Sequence, residues 1–156
     1  MSGDRPIVRS EEEQARLNRQ LSEVLQELRI AMPGVQLLFA FLLAVPFQAR
    51  FDDLSAFERD VYLATLLSAT ASSALLIAPV SYHRLLFQRG DKVRIIRFAE
   101  RSALAGLMFL ALSMSGAVLL VTSYLFSDVA TVVVTAVTAA LFGWLWFGLA
   151  WLRRLS

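Results

Sequence analysis

The chain has 156 residues, 57% of them hydrophobic against the roughly 45–50% usual in soluble domains, with 18% charged and a formal net charge of +2. The charges are segregated: residues 30–49, 61–82, 102–127 and 129–152 contain no Asp, Glu, Lys, Arg or His. Each stretch reaches the ~20 apolar residues a helix needs to cross hydrocarbon, which excludes a water-soluble globular enzyme and a disordered chain and leaves a small polytopic membrane protein.

Residues 1–9 have no periodicity and are expected to be disordered. Ser10 opens a Ser-Glu-Glu-Glu capping box with Glu13 at its third position. Leu17, Leu21, Val24 and Leu28 follow at spacings of 4, 3 and 4, which predicts an amphipathic cytoplasmic helix over residues 10–29. Its stripe continues to Ala31 and Val35, but Pro33-Gly34 interrupts it and predicts a kink or break. The stripe reads either as packing on the chain's own helices or on the membrane surface, or as a short coiled coil that dimerises the chain. Because the first 29 residues are polar and charged, the first span is expected to act as an uncleaved anchor.

Span 1, residues 30–49, closes on Pro46-Phe47-Gln48. The loop 50–60 is short and acidic, with Ser55 or Asp53 as candidate cap of a small interfacial helix. Span 2, residues 61–82, begins near Arg59 and runs through Ala78-Pro79-Val80. Apolar residues continue past His83 as Leu85, Leu86 and Phe87, Gly90 offers a helix stop, and Asp91 offers a start. Helices 2 and 3 are therefore expected to project from the bilayer as a basic hairpin. Span 3 covers 102–127, and its turn into span 4, residues 129–152, reduces to Ser127-Asp128 with Asp128 as the expected N-cap. Trp144, Trp146 and Trp151 fall toward the cytoplasmic half of span 4, and Trp151 sits beside Arg153-Arg154 as an interfacial belt.

Hydrocarbon offers no hydrogen-bond partners, so each run must satisfy its own backbone, and four runs of this length do so as helices. The expected fold is an all-α bundle of four transmembrane helices with the amphipathic helix leading it. Placing both termini in the cytoplasm puts 13 basic residues inside and only Arg50 and Arg59 outside, the arrangement the positive-inside rule demands of a multi-pass inner-membrane protein. Arg84, Arg89, Lys92, Arg94, Arg97 and Arg101 then set topology and contact anionic lipid headgroups, each worth ~1 kcal/mol near the surface, or dock an acidic partner. This placement accounts for the basic balance without nucleic acid.

Small residues recur at helical spacing: Ala64, Ser68 and Ser72; Ser102 and Gly106; Ser113 and Ala117; Thr135, Ala139 and Gly143, with Thr131 and Thr138 nearby. Lipid gives helices no hydrophobic reason to associate, so close backbone approach must supply it. Two readings follow, tight packing within the bundle or a seam for a homo-oligomer or membrane-protein partner.

There are no cysteines and one histidine, so no metal site or cofactor is expected, and no nucleophile–base pair or phosphate loop suggests an enzyme. Proton or ion coupling usually needs an intramembrane ionisable group. The carboxylates nearest span 2, Glu58 and Asp60, lie at its outer edge. The favoured reading is a non-enzymatic scaffold, partner subunit or oligomeric component. The alternative is a small ion or proton-coupled transporter or channel, with a hydroxyl-lined path through Ser68, Ser72, Ser73, Ser113, Ser115 and Thr122.

Glu27-Leu28-Arg29-Ile30-Ala31, Gly34-Val35-Gln36-Leu37-Leu38-Phe39-Ala40-Phe41-Leu42-Leu43, Pro46-Phe47, and Ala78-Pro79-Val80 with His83-Arg84 and Phe87 give the chain a further signature. In these strings it resembles bacterial, mostly actinobacterial, membrane proteins of the domain of unknown function 6328 family. The resemblance implies a four-span inner-membrane protein of unknown function, and some members carry a sodium:proton antiporter label. It points to Gln36, Pro46, Gln48, Pro79, His83 and Arg84 as a functional cluster, with Gln36 expected to meet His83-Arg84 near the cytoplasmic ends of spans 1 and 2.

Overall fold

The computed structural model describes residues 5–49, 51–86 and 92–148. Four long helices account for nearly all of them: α1 Arg5–Ala44, α2 Ala56–Leu86, α3 Lys92–Leu125 and α4 Asp128–Gly143, the last widening into a π turn at Trp144–Gly148. Short 3₁₀ turns at Val45–Phe47 and Phe51–Asp53 link α1 to α2, and among the described residues there is no strand. All four helices are long and apolar enough to cross a membrane.

α1 starts at Arg5, upstream of the Ser10 capping box, with Pro6 in its first turn, where a missing N–H costs nothing. It then runs through Pro33 without a break. Breaking the helix in hydrocarbon would strand several backbone groups, whereas the proline removes one bond. Packing on both sides of Pro33 also holds the helix together: Leu28 and Val35 are buried in one cluster with Leu76 of α2 and Leu110 of α3, and Val24 and Leu25 pack against it. The buried residues Leu28, Val35 and Leu42 lie seven apart, the repeat that keeps one face on a neighbour at a shallow crossing. The N-terminal stripe thus joins the chain's own core from Val24 onward; the side chains of Leu17 and Leu21 lie outside the described residues.

α2 and α3 form the central antiparallel hairpin, α1 packs against both, and among the described residues the backbone of α4 approaches α3 alone of the other three helices. Along α2 the buried positions are Tyr62, Thr65, Ala69, Ser72, Leu76 and Pro79, alternating by three and four. The expected small-residue row on α2 departs from this face: Ser72 is buried, Ser68 half-buried and Ala64 exposed. Steps of four advance around a 3.6-residue helix by about 40° each, so such a row drifts away from a partner that a 3–4 alternation follows.

Two glycines on α3 set the closeness of the hairpin. A Cβ on Gly106 would lie 2.7 Å from Cδ2 and 2.8 Å from Cγ of Leu76, and one on Gly116 would meet the Thr65 side chain. Three serine hydroxyls then donate across the seam to backbone carbonyls: Ser72 to Gly106 at 2.8 Å, Ser102 to Leu75 at 2.6 Å and Ser113 to Thr65 at 3.0 Å. Their order reverses between the two helices, which fixes one antiparallel register. Each such bond adds ~0.6 kcal/mol on average in a membrane protein, with a ceiling near ~1.7.

Helix ends correct two sequence expectations. Ser55 caps α2 itself, not a separate interfacial helix: its hydroxyl accepts from the Glu58 N–H at 3.3 Å, and a Glu58 carboxylate oxygen accepts from the Ser55 N–H at 2.9 Å and its O–H at 2.8 Å. This reciprocal box starts α2 at Ala56, three residues before Arg59. At α4 the N-cap is Ser127, in extended backbone at φ −69° and ψ 160°, and Asp128 is the first helical residue, where its charge complements the helix dipole. The Gly90–Asp91 turn, Arg89 and Trp151 lie outside the described residues.

Candidate functional site

Prolines account for much of the polar chemistry inside the spans. Pro79 sits in mid α2, fully buried, and has no N–H to give to the carbonyl of Leu75, four residues earlier. Ser102 supplies the missing donor, since its hydroxyl reaches that carbonyl at 2.6 Å. Pro46 creates the same deficit at the end of α1, where it enters the 3₁₀ turn and leaves the carbonyl of Leu42 without a helical donor. Here the hydroxyl of Tyr62 on α2 donates to Leu42 at 2.9 Å. Tyr62 is buried, and its ring meets Phe51 edge-on at 5.4 Å. Pro46 and Pro79 are thus each matched by a hydroxyl from a neighbouring helix.

The Leu42–Tyr62 contact floors an apolar groove of about 470 Å³. Leu38 and Phe41 of α1 form one wall and Ala117 and Val121 of α3 the other; Phe51 and Leu54 close the loop end, and Gln48 stands at the rim. It exists because the chain turns away from the bundle after Ala44, while α3 presents the small Ala117 at that level. Beside it, Glu58 joins two helices: its second carboxylate oxygen accepts from the Ser123 hydroxyl of α3 at 3.1 Å. Arg59 secures the loop by donating to the carbonyl of Asp52 at 2.8 Å.

The residues singled out from the sequence are scattered over this framework. Gln48 borders the groove, Pro46 shapes its end, and Pro79 is buried in the α2–α3 seam. Gln36 is exposed on α1. It lies six residues, about 9 Å, along α1 from the Leu42–Tyr62 contact, whereas His83 lies 21 residues, about 31 Å, along α2 from the same contact. Gln36 and His83-Arg84 therefore sit at different depths; the side chains of His83 and Arg84 lie outside the described residues. Arg97 and Arg101 are exposed one turn apart on α3; the side chains of Lys92 and Arg94 lie outside the described residues.

On the supposed hydroxyl path, Ser72 and Ser113 are buried and committed to carbonyls across the seam, and Thr122 bonds back to Val118 at 2.7 Å within its own helix. Of the α4 row, Thr135 is half-buried, while Ala139 and Gly143 are exposed, with nothing within 4 Å of where a Gly143 Cβ would stand. Tyr62 escaped the sequence reading, although a tyrosine in an uncharged span after a span that closes on proline is the signal that would have found it. Among the described residues no group of three His, Cys, Asp or Glu is placed to hold a metal ion.

The model of a family of unknown function, DUF6328, matches residues 10–150. No curated protein and no solved structure matches the chain.

Proposed function

The chain belongs to the DUF6328 family, a family of unknown function, and from that premise we propose that it is a non-enzymatic component of a bacterial inner membrane, a scaffold or partner subunit that assembles through α4. Both termini face the cytoplasm, in keeping with the 13 basic residues on that side, and the exposed Arg97 and Arg101 of α3 meet anionic headgroups.

The observation that carries this reading is the bareness of α4. Of its residues Asp128–Gly143, only Thr131 is buried, and Val129, Val132, Val133 and Val137 are each more than half exposed. Ala139 and Gly143 leave a flat strip on the same helix, the surface another membrane helix packs against most closely. Ser72, Ser102 and Ser113 are spent on carbonyls across the α2–α3 seam, and Glu58 on capping α2 and tying it to Ser123, which supports a structural role for these groups over a transport path.

A pull-down from native membranes tests the proposal, with the purified chain assayed in proteoliposomes alongside. A stoichiometric membrane partner or a second copy, lost on Gly143→Leu, is the expected result. Reproducible proton or ion flux from a strictly monomeric chain would overturn it.

A further inference from the structure

We infer that the groove between α1 and α3 holds one acyl chain of a membrane phospholipid, with its ester region at Gln48. The inference is independent of what α4 binds. The walls belong to the uncharged stretches 30–49 and 102–127, so the groove opens into hydrocarbon and not into water. Its lining is almost wholly apolar. The Tyr62 hydroxyl is already committed to Leu42, and the rest of the wall is aliphatic or aromatic apart from Gln48 and Tyr124, which favours an apolar occupant over an ion or a sugar.

Size chooses between a lipid and a protein occupant. A spanning helix about 10 Å wide and 30 Å long encloses roughly 2,000 Å³, several times the room available. The 470 Å³ falls instead within the roughly 300–1,000 Å³ of sites that enclose a small ligand. The polarity of the rim fits an amphiphile: Gln48 is exposed where the stretch 30–49 ends, and its amide offers both a donor and an acceptor to a glycerol ester. A chain lying along Leu38, Leu42, Ala117 and Val121 would reach that amide as it leaves the bilayer.

The test uses the full chain in nanodiscs of phosphatidylcholine doped with phosphatidylcholine that carries a photoreactive diazirine on one acyl chain. After irradiation, adducts are located by peptide mapping. Adducts on Leu42, Ala117 and Val121 are expected at least threefold above those on Leu67 of α2 and Leu112 of α3, exposed positions outside both the groove and α4. Ala117→Trp fills the groove and should cut its adducts at least threefold with those on Leu67 and Leu112 unchanged. Val121→Trp, at an exposed position, keeps the test decisive where the first variant does not fold. Equal labelling of the groove and of Leu67 and Leu112, unchanged labelling in a folded tryptophan variant, or crosslinks from groove residues to a second copy would each overturn the inference.

Discussion

Removing the Ser102 hydroxyl should destabilise this protein more than removing any other seam serine, because of a proline one helix away. Pro79 leaves the Leu75 carbonyl without its helical donor, and Ser102 Oγ donates to it at 2.6 Å. Ser102→Ala therefore strands an acceptor in a place where water cannot reach it. An unsatisfied buried group costs about 1–3 kcal/mol, and intramembrane side-chain hydrogen bonds peak near ~1.7 kcal/mol, so a loss of about 1.5 kcal/mol is expected, roughly tenfold in the unfolding equilibrium. Pro79→Ala restores the backbone donor. In that background Ser102→Ala should cost only about 0.5 kcal/mol, giving a coupling of ~1 kcal/mol in the double-mutant cycle, above the ~0.3–0.5 within which independent sites add. Reversible unfolding in mixed micelles, titrated with sodium dodecyl sulfate and followed by far-UV circular dichroism, measures all four proteins. The same cost for Ser102→Ala in both backgrounds would refute the compensation argument.

The same titration checks three further expectations. Tyr62→Phe should cost about 1–2 kcal/mol, because it leaves the Leu42 carbonyl above Pro46 without its 2.9 Å donor while keeping the ring against Phe51. Gly106→Ala should cost about 1–3 kcal/mol by forcing Leu76 aside, whereas Gly143→Ala, with open space around it, should be neutral or slightly stabilising. Ser55→Ala should cost about 1 kcal/mol through the lost α2 cap, and hydrogen exchange should rise in the amides of residues 56–58 before it rises deeper in α2.

The four spans were legible because exclusion from water acts on composition: a run with no ionisable residue has few alternatives to a helix in lipid. Faces were less legible. Ala64, Ser68 and Ser72 look like a packing row, yet the packed edge of α2 runs from Tyr62 through Thr65 and Ala69 to Pro79, and only the partner helix decides between a 4–4 and a 3–4 progression. The continuity of α1 across Pro33 was hidden for a related reason. Proline's local cost is visible in the sequence, but the burial of Leu28 and Val35 against Leu76 and Leu110 that outweighs it is not. The α2 cap was visible in principle: Ser55-Ala56-Phe57-Glu58 repeats the pattern already recognised at Ser10. The groove was not, since it depends on three helices and a loop meeting at one level. Gln48 could be picked out as one of the two amides in span 1, but its neighbours Tyr62 and Ala117 come from other helices.

Four crossings with both ends in the cytoplasm, as proposed, can be measured directly because the chain has no cysteine. Single cysteines introduced as Asp53→Cys, Val133→Cys and Ser156→Cys are exposed in intact cells to a membrane-impermeant maleimide, before and after permeabilisation. The expected result is labelling of Asp53→Cys in intact cells, of Ser156→Cys only after permeabilisation, and of Val133→Cys in neither condition. Labelling of Val133→Cys at the rate of Asp53→Cys, or of Ser156→Cys from outside, would contradict it.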